Sequence, residues 1–232
     1  MSEPTVTHWT ASDGIDLVYH ELGTGRPVIL LHGLFSDATM NWIRFGHAAR
    51  IESEGFRVIM PDLRAHGLSS KPQESEHYPV GILAQDLREL VAHLQLDDFD
   101  LGGFSLGSRT TVEGVGEGLR PRKAILGGAG LEGLRHWERR KNFFLEAIEL
   151  FDRVPRGDPH WLSIQFMKSQ KIDRVSAALL LQSFADTFLE WLKAFTMPTL
   201  VVCGDQDDDN GSASELAAML PNAIFEKYRA RT

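Results

Sequence analysis

Gly103-Phe104-Ser105-Leu106-Gly107 sets one serine between two glycines. This G-x-S-x-G spacing suits a serine held at a sharp strand-to-helix turn, with its hydroxyl lifted clear as a nucleophile. Side chains two residues before and after such a serine would collide, so Gly103 and Gly107 make the bend possible. A hydroxyl at the start of a helix also faces free N–H groups that favour developing negative charge. Two glycines and a serine recur by chance, so the pattern carries chemistry only if a strand leads into it and a helix leads out.

Other residues suggest competing chemistries. Asp205-Gln206-Asp207-Asp208-Asp209-Asn210-Gly211 resembles the start of a calcium loop, but its glycine comes one position late. Its twelfth position is Leu216 rather than glutamate, so a solvated acidic turn capping a helix at Ser212 is expected instead. Gly128-Ala129-Gly130-Leu131-Glu132-Gly133 matches G-x-G-x-x-G. A dinucleotide site would need a second strand soon after it, and none follows, so a flexible connection is expected. The single cysteine, Cys203, excludes an internal disulfide and a multi-cysteine metal site, which fits a reducing, cytoplasmic setting. Neither a metal nor an organic cofactor is expected.

The elements that must position these residues follow from the pattern of apolar residues. Residues 5–10 and 17–20 flank Ser12-Asp13-Gly14, a turn signal, and predict a β-hairpin. Residues 28–31 and 56–60 are apolar runs that predict strands buried on both faces, the second ended by Pro61. Residues 41–54 carry Trp42, Phe45 and Ala49 at helical spacing, with Gly55 as the stop. Leu83, Leu87, Leu90, Val91 and Leu94 share one face of a helix over 80–96. A strand over 99–102, a helix over 106–118 and a strand over 123–126 continue the alternation. It predicts an α/β fold: a mostly parallel central sheet with helices on both faces. A strand over 199–203, a helix over 212–220 and a last strand from 224 complete it. Residues 130–196 hold no convincing strand and predict helices over 135–153, 160–169 and 174–192. Ordinary connections of this kind take about 2–6 residues, so so long an excursion is expected to act as a helical cap. The expected division is a core of residues 1–129 and 197–232 with a cap of 130–196.

Composition narrows the partners. The 232 residues are 43% hydrophobic and 24% charged, values of a globular chain. The net charge of −8 repels phosphate backbones and anionic lipid, so neither nucleic acid nor membrane is an expected partner. The first residues lack the basic and apolar regions of a secretory signal, and no apolar run is long enough to cross a bilayer. Oligomeric state leaves no trace in the sequence.

Taken together, the motifs resemble the α/β-hydrolase superfamily. His32-Gly33-Leu34-Phe35 after the strand over 28–31 is similar to its oxyanion loop. Residues 61–69, Pro-Asp-Leu-Arg-Ala-His-Gly-Leu-Ser, resemble its D-x-R-G-x-G-x-S segment, with Ala65 where glycine is usual. Gly204-Asp205-Gln206-Asp207 resembles its acid loop. The resemblance implies that Ser105 attacks a carbonyl carbon and that the N–H groups of Leu34 and Leu106 form the oxyanion hole. It implies that Asp207 orients a catalytic histidine, with Glu132 as the alternative acid. It implies a serine hydrolase of the esterase type acting on a small apolar ester or related acyl substrate. C–C bond hydrolysis on the same scaffold and non-catalytic binding of a small ligand are the alternatives.

One part is missing. The family's histidine should follow the acid after the last strand, and none of residues 208–232 is histidine. His32 and His66 read as structural, and the remaining histidines lack the right topology. The expectation is a chain crippled as a catalyst unless a histidine lies beyond Thr232, because a serine without its base keeps a neutral, weakly nucleophilic hydroxyl.

Overall fold

The computed structural model describes residues 3–207 and 210–229. Its single sheet runs in the order β1-β2-β4-β3-β5-β6-β7-β8. β1 (Thr5–Thr10) and β2 (Asp16–Leu22) form the expected hairpin, and β2 pairs antiparallel with β4 (Phe56–Asp62). From β4 onward all pairing is parallel, through β3 (Arg26–Leu31), β5 (Asp100–Phe104), β6 (Lys123–Gly127), β7 (Thr199–Gly204) and β8 (Ala223–Tyr228).

Alternation along the strands divides the core in two. Ile29, Leu31, Ile59 and Leu101 face α2 (Ile82–His93), α3 (Leu106–Gly116) and α8 (Ala213–Met219). Val28, Leu30, Val58 and Met60 face α1 (His47–Ser53). α1 reaches only one end of its face. Farther along, Ile125 on β6 and Ile224 on β8 are 39% and 63% exposed.

Three expectations need correction. The strand ending in Pro61 continues to Asp62. Pairing of β4 with β3 stops at Ile59, so the N–H that proline lacks is not required on that side. The helix expected over 41–54 is two pieces, a π-helical turn Thr39–Ile43 and α1. Gly46 separates them at φ 78°, a left-handed conformation that suits glycine. The helix expected over 174–192 ends at Ser183 as α7 (Arg174–Ser183), and Leu189–Ala194 forms a separate 3₁₀ turn. Between them the backbone is captured from outside, the Thr187 N–H donating to the Leu134 carbonyl at 2.9 Å.

Between β6 and β7 the described chain is helical: α4 (Leu131–Leu134), α5 (Trp137–Glu149), α6 (Trp161–Ser169), α7 and the 3₁₀ turn. This insertion has its own apolar cluster, centred on Trp137, Ala147, Ile164, Met167 and Leu181. Phe35, from the loop after β3, is buried in that cluster and joins it to the sheet. Among the described residues no helix is long and apolar enough to cross a membrane.

Candidate active site

Ser105 sits between the end of β5 and the first turn of α3, at φ 52° and ψ −109°. A serine in that region is strained, and such strain persists only where the surroundings over-determine it. Here the Ser105 N–H donates to the Gly127 carbonyl at 2.8 Å. The Ser108 hydroxyl lies 2.7 Å from the Gly103 carbonyl oxygen and 2.8 Å from that of Gly127. The glycines are required by space. A Cβ on Gly103 would fall 2.1 Å from the Gly107 carbonyl carbon, and one on Gly107 would fall 2.3 Å from the Leu31 oxygen. The strand before and the helix after are both present, so the context the motif needs is met.

The loop after β3 lies against this turn. A Cβ on Gly33 would meet the Phe104 ring at 3.3 Å and Ser105 Cβ at 3.6 Å. Backbone donors in the loop are already engaged on either side of Leu34: Gly33 donates to Asn41 Oδ1 at 2.8 Å, and Phe35 to His66 Nε2 at 3.1 Å. The N–H groups of Leu34 and Leu106 make no backbone hydrogen bond among the described residues. Two backbone N–H groups without a backbone partner thus lie in the loop after β3 and on the residue that follows the serine.

Both nearby histidines are fully used in holding backbone. His32 Nε2 accepts the Leu63 N–H at 2.9 Å, so its Nδ1 carries the proton given to the Gly33 carbonyl at 2.8 Å. His66 Nε2 accepts from Phe35, so its Nδ1–H donates to the Arg64 carbonyl at 2.9 Å. Burial drives both below the ordinary imidazole value, His66 to about 3, which keeps them neutral. Neither has a nitrogen left to serve Ser105.

Asp62 anchors the next loop. Burial pushes its carboxyl up, but hydrogen bonds from His20 and from the Leu68 and Ala38 N–H groups, with His32 nearby, hold it below the usual range. Gly67, at φ 50°, is forced, since a Cβ there would lie 2.3 Å from that carboxyl. Ala65 takes φ 70°, a conformation that suits glycine, and accepts the strain. Arg64 is buried, with Asp86 Oδ1 at 2.7 Å and Asp13 Oδ2 at 2.6 Å. Sequence reasoning missed both partners, which stand far from Arg64 along the chain.

Asp207 follows β7, partly buried, its N–H 3.4 Å from the Gly204 carbonyl oxygen. β6 separates β7 from β5, so the two strand ends stand about 10 Å apart at ordinary spacing. A bridging side chain is needed to connect such groups, and among the described residues no histidine is hydrogen-bonded to Ser105 or Asp207. The alternative acid, Glu132, is committed elsewhere: its Oε2 accepts the Ser212 N–H at 2.8 Å. The glycine run around it is not a flexible connection. A Cβ on Gly130 would fall 2.3 Å from the Asn210 oxygen, and the Asn210 side chain donates to the Gly128 carbonyl at 2.7 Å. Gly130 is required because two backbones touch there, Gly128 because the Phe104 ring lies against it, and Gly133 because the Asn210 side chain does. Asp208 and Asp209 of the calcium-like run lie outside the described residues, and no metal-holding group of side chains occurs among the described ones.

Comparison with known proteins agrees with this architecture. The profile of the alpha/beta hydrolase fold matches residues 26–113. A non-heme haloperoxidase from Rhodococcus erythropolis is 30% identical, the alignment covering 94% of this chain and 89% of that protein. The non-heme chloroperoxidase CPO-A1 of Kitasatospora aureofaciens is 28% identical over the same shares. The structure of a thermophilic esterase from Thermogutta terrifontis superposes with a TM-score of 0.70 at 26% identity, covering 98% of this chain and 90% of that one. The chain belongs to the α/β-hydrolase superfamily.

Proposed function

We propose that the chain is a serine hydrolase that cleaves a small apolar ester or related acyl compound through an acyl-enzyme. The observation that carries this reading is the strained Ser105 turn flanked by the open amides of Leu34 and Leu106. A base removes the Ser105 hydroxyl proton as Oγ bonds to the substrate carbonyl carbon. The carbonyl π electrons move to oxygen, where the two N–H groups receive the charge. Collapse expels the alcohol, which takes the proton back from the base, and water repeats the sequence to free the acid. The same acyl-serine opened by hydrogen peroxide gives a peracid, so the haloperoxidase names of two relatives are compatible with this covalent step.

Asp207 is proposed to orient the base, and the helical insertion to roof the site as a cap. His32 and His66 are spent on backbone, so neither is the base of this reading, and an added base is expected to raise the reactivity of Ser105. A serine hydroxyl without a paired base is a weak nucleophile. Loss of a triad histidine costs on the order of 10⁶ in kcat in a related logic.

Free imidazole tests this. It is expected to accelerate hydrolysis of p-nitrophenyl acetate saturably with the native chain, and Ser105→Ala is expected to leave only the solution reaction. Equal imidazole dependence of both proteins would refute the assignment of Ser105. Rapid turnover without imidazole would show that a base is already present.

A further inference from the structure

Arg109 lies one turn after the serine, and its N–H donates to the Ser105 carbonyl at 3.1 Å. Its side chain is only 5% exposed. Glu113 Oε1 stands 2.9 Å from Nη2, and Nη2 also donates to the Ala185 carbonyl. Trp137 and Phe184 present their rings to the guanidinium at 5.0 and 5.6 Å. Nε and Nη1 have no hydrogen-bond partner among the described residues. A buried guanidinium short of acceptors is costly, and aromatic faces supply the compensating negative potential.

These partners belong to the two stretches of chain that enter and leave the helical insertion. Trp137 begins α5, and Phe184 and Ala185 follow α7. The same stretches are tied to each other, since the Trp137 N–H donates to Asp186 Oδ1 at 2.8 Å. Glu113 extends the tie, accepting from the Thr187 hydroxyl at 3.2 Å. Burial pulls the guanidinium below its ordinary value, while Glu113 and Asp186 oppose that pull and keep it charged.

We propose that Arg109 is a positioning residue that pins both connections of the insertion to the nucleophile helix and so fixes the height of the roof over Ser105. The pin rests on the reading that the insertion roofs the site, but its mechanical part stands apart from any reaction. Lysine cannot replace it, because an ammonium lacks the planar fork that donates in fixed directions to Glu113 and Ala185 beside the two rings.

The test uses the whole 232-residue chain. Hydrogen exchange of Arg109→Lys is expected to quicken about tenfold in residues 131–137 and 184–188, the effect of losing roughly 1.4 kcal/mol of local closure. Exchange in β5 and β6 stays as in the native chain. Glu113→Gln, the gentler change, is expected to show the same pattern more weakly. In imidazole-assisted hydrolysis, KM for p-nitrophenyl butyrate is expected to rise severalfold in Arg109→Lys with KM for the acetate unchanged. Unaltered exchange in both segments, or exchange that rises evenly across the molecule, overturns the pin. Locally faster exchange with no change in acyl-chain preference keeps the mechanical pin and overturns its role over Ser105.

Discussion

The loops at the ends of β3, β4 and β5 and the helical insertion between β6 and β7 are held by different means. In the loops, short polar groups hold backbone at named atoms: His32 on Leu63 and Gly33, His66 on Phe35 and Arg64, Asp62 on Ala38 and Leu68. The insertion is held largely by rings and apolar contacts: Phe35 enters its own cluster, Leu134, Leu180 and Leu192 enter the main core, and Trp137 and Phe184 meet Arg109 of α3. The first construction holds backbone at fixed points, as the proposed oxyanion site would need. The second tolerates adjustment, as the proposed roof over an apolar substrate would need.

The largest effect that would sharpen this contrast is at the elbow. Gly103→Ala places a methyl against the Gly107 carbonyl. It is expected to cost about 3 kcal/mol or more, because overpacking here has only backbone to push against. Urea unfolding measures it, and a loss below about 1 kcal/mol would show that the elbow yields.

Acid is the second probe. The folded value of His66, about 3, lies below its unfolded 6.5, so on acidification the unfolded chain takes up the proton first. Stability from this group is complete above about 6.5 and falls as pH drops toward 3. Asp62, also depressed, adds a loss below its ordinary 3.8 as pH falls through its folded value. Melting temperature is therefore expected to decline between pH 6.5 and 4, and less steeply in His66→Gln. A flat profile in the native chain would show that the two ring nitrogens are not committed to backbone.

The smallest effect belongs to the insertion's surface. Lys168 pairs with Asp152 at 3.2 Å with both side chains well exposed. Lys168→Ala is expected to change stability by less than about 0.5 kcal/mol. A larger loss would make the insertion more like the loops than its contacts suggest.

The same contrast explains what could be read from the sequence. The elbow and the mostly parallel character of the sheet were legible because glycine spacing and apolar runs report local geometry. The break at Gly46 was hidden by residues on both sides that keep helical spacing. The glycines at 128–133 were legible as glycines but not as a contact, because Asn210 is far along the chain. Arg109 gave no signal at all: an arginine in a helix is ordinarily a solvated one, and Trp137 and Phe184 meet it only in the folded chain. The acid and oxyanion assignments, Asp207, Leu34 and Leu106, came from resemblance. The fold adds their placement at one edge of the sheet.

The most direct measurement of the central claim is covalent capture. The native chain is treated with a fluorophosphonate in the presence of imidazole and the labelled peptide is mapped by mass spectrometry. The account predicts a single adduct on Ser105, dependent on imidazole and absent after heat denaturation. Label on another residue, or label on Ser105 that persists in the unfolded chain, would contradict it.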